Sequence, residues 1–274
     1  MTQTPDSYPP ADLPLARRLE RTEGAVNAAF VEARARLDPD SRAAWTSIAG
    51  VYAMYDGVDS PLTQTFGLGV FEPVGAAEFD ALEAYFVERG APVHHEVSPY
   101  LPADTLIALG ERGYRPFEVS TVLVRPTDAG PGGADGIAVR EIDAAERSTW
   151  AKVAGEGWSS ESEALASFIE AFGQIVTRAA DVHCFVAERE GTPIAAGTLA
   201  LHGDTALLAG ASTVPAARRQ GAQRALLDAR LRFARDRGAT LAMVVTAPGS
   251  GSQRNAERQG FRVAYTRTKW RRAG

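Results

Sequence analysis

The residues best placed to do chemistry lie between Thr213 and Gly238, in TVPAARRQGAQRALLDARLRFARDRG. Ser212, Thr213 and Val214 read as a strand end, Pro215 as a turn, and Arg218-Arg219-Gln220-Gly221 as a loop that opens a helix. Leu227, Leu231 and Ala234 form an apolar stripe on that helix, flanked by Leu226 and Phe233, and Gly238 stops it. A loop of this kind leaves the first helical N–H groups unpaired and converging, where the helix dipole adds positive potential. The chemistry on offer is anion binding, most simply of a phosphate. From Arg218 to Arg237, seven Arg stand against Asp228 and Asp236, locally +5 in a chain of net charge −5. An amphipathic surface helix with a solvated Arg face is the alternative.

The rest of the chain must position this stretch. Its 274 residues suffice for one large domain or two ordinary ones, and 45% hydrophobic and 23% charged residues are globular values. A pI near 5.5 excludes a general affinity for nucleic acid, so phosphates must be met locally. Cys184, the only cysteine, rules out an internal disulfide and a multi-Cys metal site, and its place in the apolar run VHCFVAE reads as a core thiol. His94-His95-Glu96 has no second ligand at helical spacing, and His183 and His202 stand alone, so no metal is expected. No G-x-S-x-G elbow is present. Residues 1–12 read as a disordered lead-in without signal-peptide character, and no apolar run spans a membrane, which points to the cytoplasm.

Periodicity predicts a helix over 13–37, strands over 47–55 and 62–70, a helix over 76–88, a strand over 93–97, a short helix over 106–109 and a strand over 117–124. The Gly-, Pro- and Asp-rich run 126–136 is the best linker. Beyond it come a strand (137–141), two helices (144–154 and 163–178), and strands over 183–188, 194–201 and 205–213. The opening stretch follows, then a strand over 240–245, a helix to Gln259 and a strand over 263–270. The halves look duplicated: Arg89-Gly90-Ala91 leads to Gly113-Tyr114 as Arg237-Gly238-Ala239 leads to Gly260-Phe261. Counting back from Gly90 sets Pro73 opposite Gly221 and Val70 opposite Arg218, and residues 70–89 carry −4 where their counterpart carries +5. Acids at a helix start satisfy its dipole from within, so only the C-terminal copy is expected to bind the anion.

Pro215, Arg218 and Gly221, the element order after residue 136, and Gly260-Phe261 together resemble the GNAT acetyltransferase superfamily. The resemblance implies an α/β (α+β) fold of two GNAT-like domains, each a mostly antiparallel mixed sheet flanked by helices. A degenerate copy would cover 13–126, a linker 127–136 and an acetyl-CoA-binding copy 137–274. It implies transfer of an acetyl group from acetyl-CoA to the primary amine of a small molecule by a cytoplasmic monomer or homodimer. The pyrophosphate would sit on the N–H groups of Arg219, Gln220, Gly221, Ala222, Gln223 and Arg224, with Arg218 or Arg219 reaching the phosphates and the pantetheine lying along Ser212, Thr213 and Val214. Gln223 replaces the family's second small residue.

The chemistry also needs a base for the amine and an acid for the thiolate. The family's Tyr position is Ala256 and LLAGAST lacks its frequent Glu, so Tyr265, Ser252 and Glu156 are the substitutes by position, Tyr265 and Glu156 before Ser252. Trp158 would wall the acceptor pocket, and Ser252 and Asn255 would contact coenzyme A or cap the last helix. A non-catalytic acyl-CoA-binding protein is the other reading, and an acidic N-terminal half closing over the cleft would favour a cationic amine.

Overall fold

Asp12 starts the first helix, α1 (Leu13–Leu37): its Oδ1 accepts from the Leu15 amide at 2.9 Å, with Pro14 in the first turn. The computed structural model describes residues 8–128 and 132–272, in two compact units that divide the chain as 1–124 with 245–274, and 125–244. Residues 1–7 of the expected lead-in lie outside the described residues. The remainder is fixed: the Tyr100 hydroxyl donates to the Ala11 carbonyl at 2.7 Å, and the Arg262 guanidinium lies over the Tyr8 ring.

In the first unit α1 is followed by β1 (Ala44–Ile48), β2 (Val51–Tyr55), β3 (Gln64–Phe66), α2 (Ala76–Val87), β4 (His94–Val97), α3 (Ala103–Glu111) and β5 (Tyr114–Pro126). The strand expected over 47–55 is instead a hairpin. Ala49 and Gly50 both take positive φ, 48° and 73°, and pair Ile48 with Val51 across a two-residue turn. Only Gln64–Phe66 of the strand expected over 62–70 is extended and paired, because Gly67 and Gly69 break it with φ of 79° and 67°.

The second unit runs β6 (Ala138–Glu141), α4 (Arg147–Glu156), α5 (Glu163–Val176), β7 (Val182–Arg189), β8 (Thr192–His202), β9 (Thr205–Thr213), α6 (Ala222–Asp236) and β10 (Leu241–Thr246). Its strand order is β6-β7-β8-β9-β10, antiparallel except for β9 with β10. Leu227, Leu231 and Ala234 of the sequence stripe are buried together with flanking Leu226, and Phe233 meets Phe185 of β7 edge to face.

The chain then returns to the first unit with α7 (Gly251–Arg258) and β11 (Arg262–Arg272). β11 lies between β4 and β5, giving the order β1-β2-β3-β4-β11-β5, antiparallel except for β3 with β4. The reading of 137–274 as one piece therefore differs from the compact units, which place the final strand with residues 1–124. The reason is a buried ionic knot. Arg267 of β11, 2% exposed at its side chain, meets Glu20 (3.3 Å) and Glu23 (2.7 Å) of α1 and Glu96 (2.8 Å) of β4. A charged side chain at the middle of a buried strand is tolerated only where its counter-charges are, and here they belong to the first unit.

Candidate active site

The second unit builds the loop from β9, a 3-10 turn at Pro215–Ala217, and α6. Arg219 and Gly221 both take positive φ, 61° and 90°, which turns the chain so that Gly221 becomes the N-cap of α6. Gly is required there: a Cβ would meet that of Ala134 at 2.7 Å, in a backbone region costly for other residues. The first amide to close a helical bond is Ala225, which donates to the Gly221 carbonyl. The amides of Arg219, Gln220, Gly221, Ala222, Gln223 and Arg224 have no partner among the described residues, and no side chain caps the helix.

The first unit contains a similar strand–loop–helix whose first helical turn carries an acid. β3, a Gly-rich loop and α2 lead into parallel β4, as β9, the loop and α6 lead into parallel β10. The α2 N-cap is Gly75, two residues beyond the position reached by counting back from Gly90, because α2 is three residues shorter than α6 and ends one residue further from its Gly. Its amide donates to the Glu78 carboxylate at 2.8 Å. One helix start meets its own acid and the other meets none.

Pairing of β9 with β10 runs from Leu241 opposite Thr205 to Met243 opposite Leu207 and then ends, so the β10-facing edge of Leu208–Thr213 is unpaired. Val214 is closed to a ligand, because its amide donates to the Ile194 carbonyl and its carbonyl accepts from Ala217. The backbone open to an added strand is thus Leu208–Thr213, including the expected Ser212 and Thr213.

The loop's side chains are mostly engaged. Arg218 Nη2 donates to the Gly157 carbonyl at 2.7 Å and Nε to the Thr213 carbonyl at 3.4 Å, tying the α4–α5 turn to the loop. Gln223 Nε2 donates to Thr213 Oγ1, Gln220 bonds Ala216 and Arg189, and Arg224 donates to the carbonyls of Gly132 and Gly133. Residues 129–131 of the expected linker lie outside the described residues, whereas Gly132 and Gly133 thus rest on α6. Arg219 is exposed.

The Arg-rich stretch divides by position rather than forming one basic face. Arg218, Arg219 and Arg224 stand at the loop. Arg232 pairs with Asp228, Arg235 with Asp236, Arg237 covers the Phe233 ring, and Arg230 is buried. That burial was legible, since 230 is four residues from both Leu226 and Ala234.

The turn after α4 is pressed onto β9. The Ser212 hydroxyl donates to the Ala154 carbonyl at 2.9 Å, and a Cβ on Gly157 would lie 2.5 Å from that of Ser212. Exposed Glu156 and half-buried Trp158 flank Gly157, so these two expected residues share one region with Ser212, Thr213 and Arg218.

The other expected residues belong to the first unit. Ser250, not Ser252, caps α7 by accepting from the Gln253 amide, and the Asn255 side chain accepts from Arg258. Tyr265 is 6% exposed and its hydroxyl donates to Glu20 at 2.9 Å. Burial, with Glu20 beside it, holds the phenol well above its ordinary range. The Tyr265 hydroxyl, expected as a catalytic acid, is thus engaged with the acids that surround Arg267.

Burial pushes the Cys184 thiol up to about 12, in keeping with a core thiol. No group of three or more His, Cys, Asp or Glu among the described residues is arranged for a metal, and no helix among them is long and apolar enough to cross a membrane.

Three comparisons bear on this geometry. The model of the acetyltransferase (GNAT) family matches residues 139–261. Among solved structures, a GCN5-related N-acetyltransferase from Kribbella flavida is 19% identical with a TM-score of 0.63, covering 90% of this chain and 96% of that one. A tandem GNAT protein from the clavulanic acid biosynthesis pathway is 13% identical with a TM-score of 0.55, covering 80% and 77%. A GCN5-related N-acetyltransferase from Sphaerobacter thermophilus is 18% identical with a TM-score of 0.52, covering 77% and 73%. At these identities the structural likeness speaks to the fold. No curated protein matches the sequence.

Proposed function

From the match of residues 139–261 to the acetyltransferase (GNAT) family, we propose that this protein transfers an acetyl group from acetyl-CoA to a primary amine of a small molecule. The observation carrying the proposal is the run of six consecutive amides, Arg219 to Arg224, that have no partner among the described residues and meet no acid in the first turn of α6, where α2 carries Glu78. The amides of Arg219–Arg224 would hold the pyrophosphate, with the exposed Arg219 guanidinium, which has no partner among the described residues, beside them. The unpaired edge of Leu208–Thr213 would receive the pantetheine as an added strand. Acetyl-CoA would supply an activated thioester there.

In the transfer the amine nitrogen bonds the carbonyl carbon, the carbon–sulfur bond breaks, and sulfur leaves as thiolate. A protonated amine releases one proton to free its lone pair and a second as the amide forms; the thiolate accepts one and solvent takes the other. Glu156, exposed at the turn, would take the amine's proton directly or through water. With Tyr265 committed to Glu20, solvent would protonate the thiolate, a fair leaving group. Trp158 would wall the acceptor side. Glu156, Glu161 and Glu163 cluster at the turn and the start of α5, which favours a cationic amine.

The test is release of coenzyme A from acetyl-CoA across a panel of cationic and neutral amines. Turnover with at least one amine, faster for cations, is expected. Binding of acetyl-CoA without turnover on any amine would instead favour the non-catalytic acyl-CoA-binding reading.

A further inference from the structure

Arg230 is a fully buried cation on α6 with no carboxylate partner among the described residues, unlike Arg267 in its knot of three glutamates. Its Nε donates to the Leu226 carbonyl at 3.2 Å, and its Nη1 to the carbonyls of Thr198 at 2.8 Å and Ala209 at 3.4 Å. Burial lowers its pKa to about 10, so the guanidinium stays charged at neutral pH. A buried charge left without a counter-charge is costly, and a position that keeps one calls for a use of the charge.

The carbonyls Arg230 holds belong to an irregularity between β8 and β9. Their register slips between Ala196 and Thr198, and Gly210 takes φ 59° in the middle of β9. Gly197 makes room for the guanidinium, since a Cβ there would lie 3.2 Å from Arg230 Cζ. Ala209, Gly210 and Ala211 are exposed, on the stretch of β9 that β10 leaves unpaired. From Thr213, where the loop begins, back to Gly210 is about 10 Å along an extended strand. The loop and the bulge thus lie about 10 Å apart on one unpaired stretch of β9.

We propose that Arg230 is a positioning and electrostatic residue for acyl transfer. It braces the Gly210 bulge and holds a fixed positive charge behind the part of β9 that receives the thioester carbonyl, an inference that rests on the acyl-CoA reading above. A preorganised cation in a site excluded from water favours the charge that grows on the carbonyl oxygen. Arg rather than Lys suits the place because its planar fork serves more than one carbonyl.

The test is the infrared carbonyl band of carbonyl-13C acetyl-CoA bound to the wild type, Arg230→Lys and Arg230→Met, with the Kd for coenzyme A measured alongside. The wild type is expected to move the band to lower frequency. Arg230→Lys should keep most of that shift and Arg230→Met should lose more than half of it, with coenzyme A affinity within about threefold throughout. Should Arg230→Met not fold, Arg230→Gln serves as the uncharged variant. An equal band position in the charged and uncharged variants overturns the proposal for Arg230. Failure of the wild type to bind acetyl-CoA overturns the acyl-CoA reading, and this inference with it.

Discussion

Gly221 does two jobs that no other residue could share: it adopts φ 90° and it lets Ala134 approach to within 2.7 Å of where a Cβ would stand. Gly221→Ala is therefore expected to lower stability by about 1–2 kcal/mol, read from the urea midpoint at constant slope, and an unchanged midpoint would show that the loop conformation is not under this constraint. Glu156 carries a different expectation. Glu156→Gln should lower kcat on the order of a hundredfold with the Kd for coenzyme A unchanged, whereas undiminished kcat would pass the proton's removal to water alone. The loop was legible in sequence because Pro215, Arg218 and Gly221 are a local pattern. The fate of the Arg218 guanidinium was not, since its partner Gly157 lies 61 residues away.

Elements show where local signals end. The helices α1, α2 and α6 follow from their apolar stripes, whereas the β1–β2 hairpin hid behind Ala49, which holds a left-handed conformation without the usual Asn or Asp. The attachment of α1 to β4 and β11 through Glu20, Glu23, Glu96 and Arg267 gives a pH signature. Burial raises the Glu20 carboxyl to about 6, with Arg267 opposing. The folded chain therefore holds this proton more tightly than the unfolded chain does. Its stabilising contribution is full below pH 4.5 and is lost as pH rises to about 6.

Glu20→Gln removes that dependence. The stability difference between variant and wild type should move in the variant's favour by about 2 kcal/mol between pH 4 and pH 7. Denaturant titrations of both proteins across that range check it, and a flat difference would mean that Glu20 titrates normally. Buried His95, held near 3 by desolvation and hydrogen-bonded to Thr65, pulls the opposite way in both proteins and cancels in the comparison.

For the whole molecule, the spacing of Gly90, Gly113, Gly238 and Gly260 pointed to a duplication, whereas nothing local pointed to the home of the last strand. Alternating residues specify a strand and leave its neighbours open. The mid-strand Arg267 was the available clue, and its three acids are scattered over two elements far away in sequence. A chain ending at Gly260 lacks the strand that β4 and β5 both pair with. Such a chain should lose the cooperative unfolding of its first unit and be cleaved within residues 8–124 by dilute protease, whereas protection equal to the full chain would contradict the observed strand order.

The central claim is that the open start of α6 binds acyl-CoA, and it separates from simple helix stability through one substitution. Gln223→Glu places an acid in the first turn, where it favours the helix dipole but repels a phosphate, as Glu78 does in α2. Isothermal titration of acetyl-CoA into wild type and Gln223→Glu is the most direct test. The account predicts binding by the wild type and a Kd raised by about tenfold or more in a variant whose melting temperature is unchanged or higher. Absence of binding by the wild type, or equal affinity in the two proteins, would contradict it.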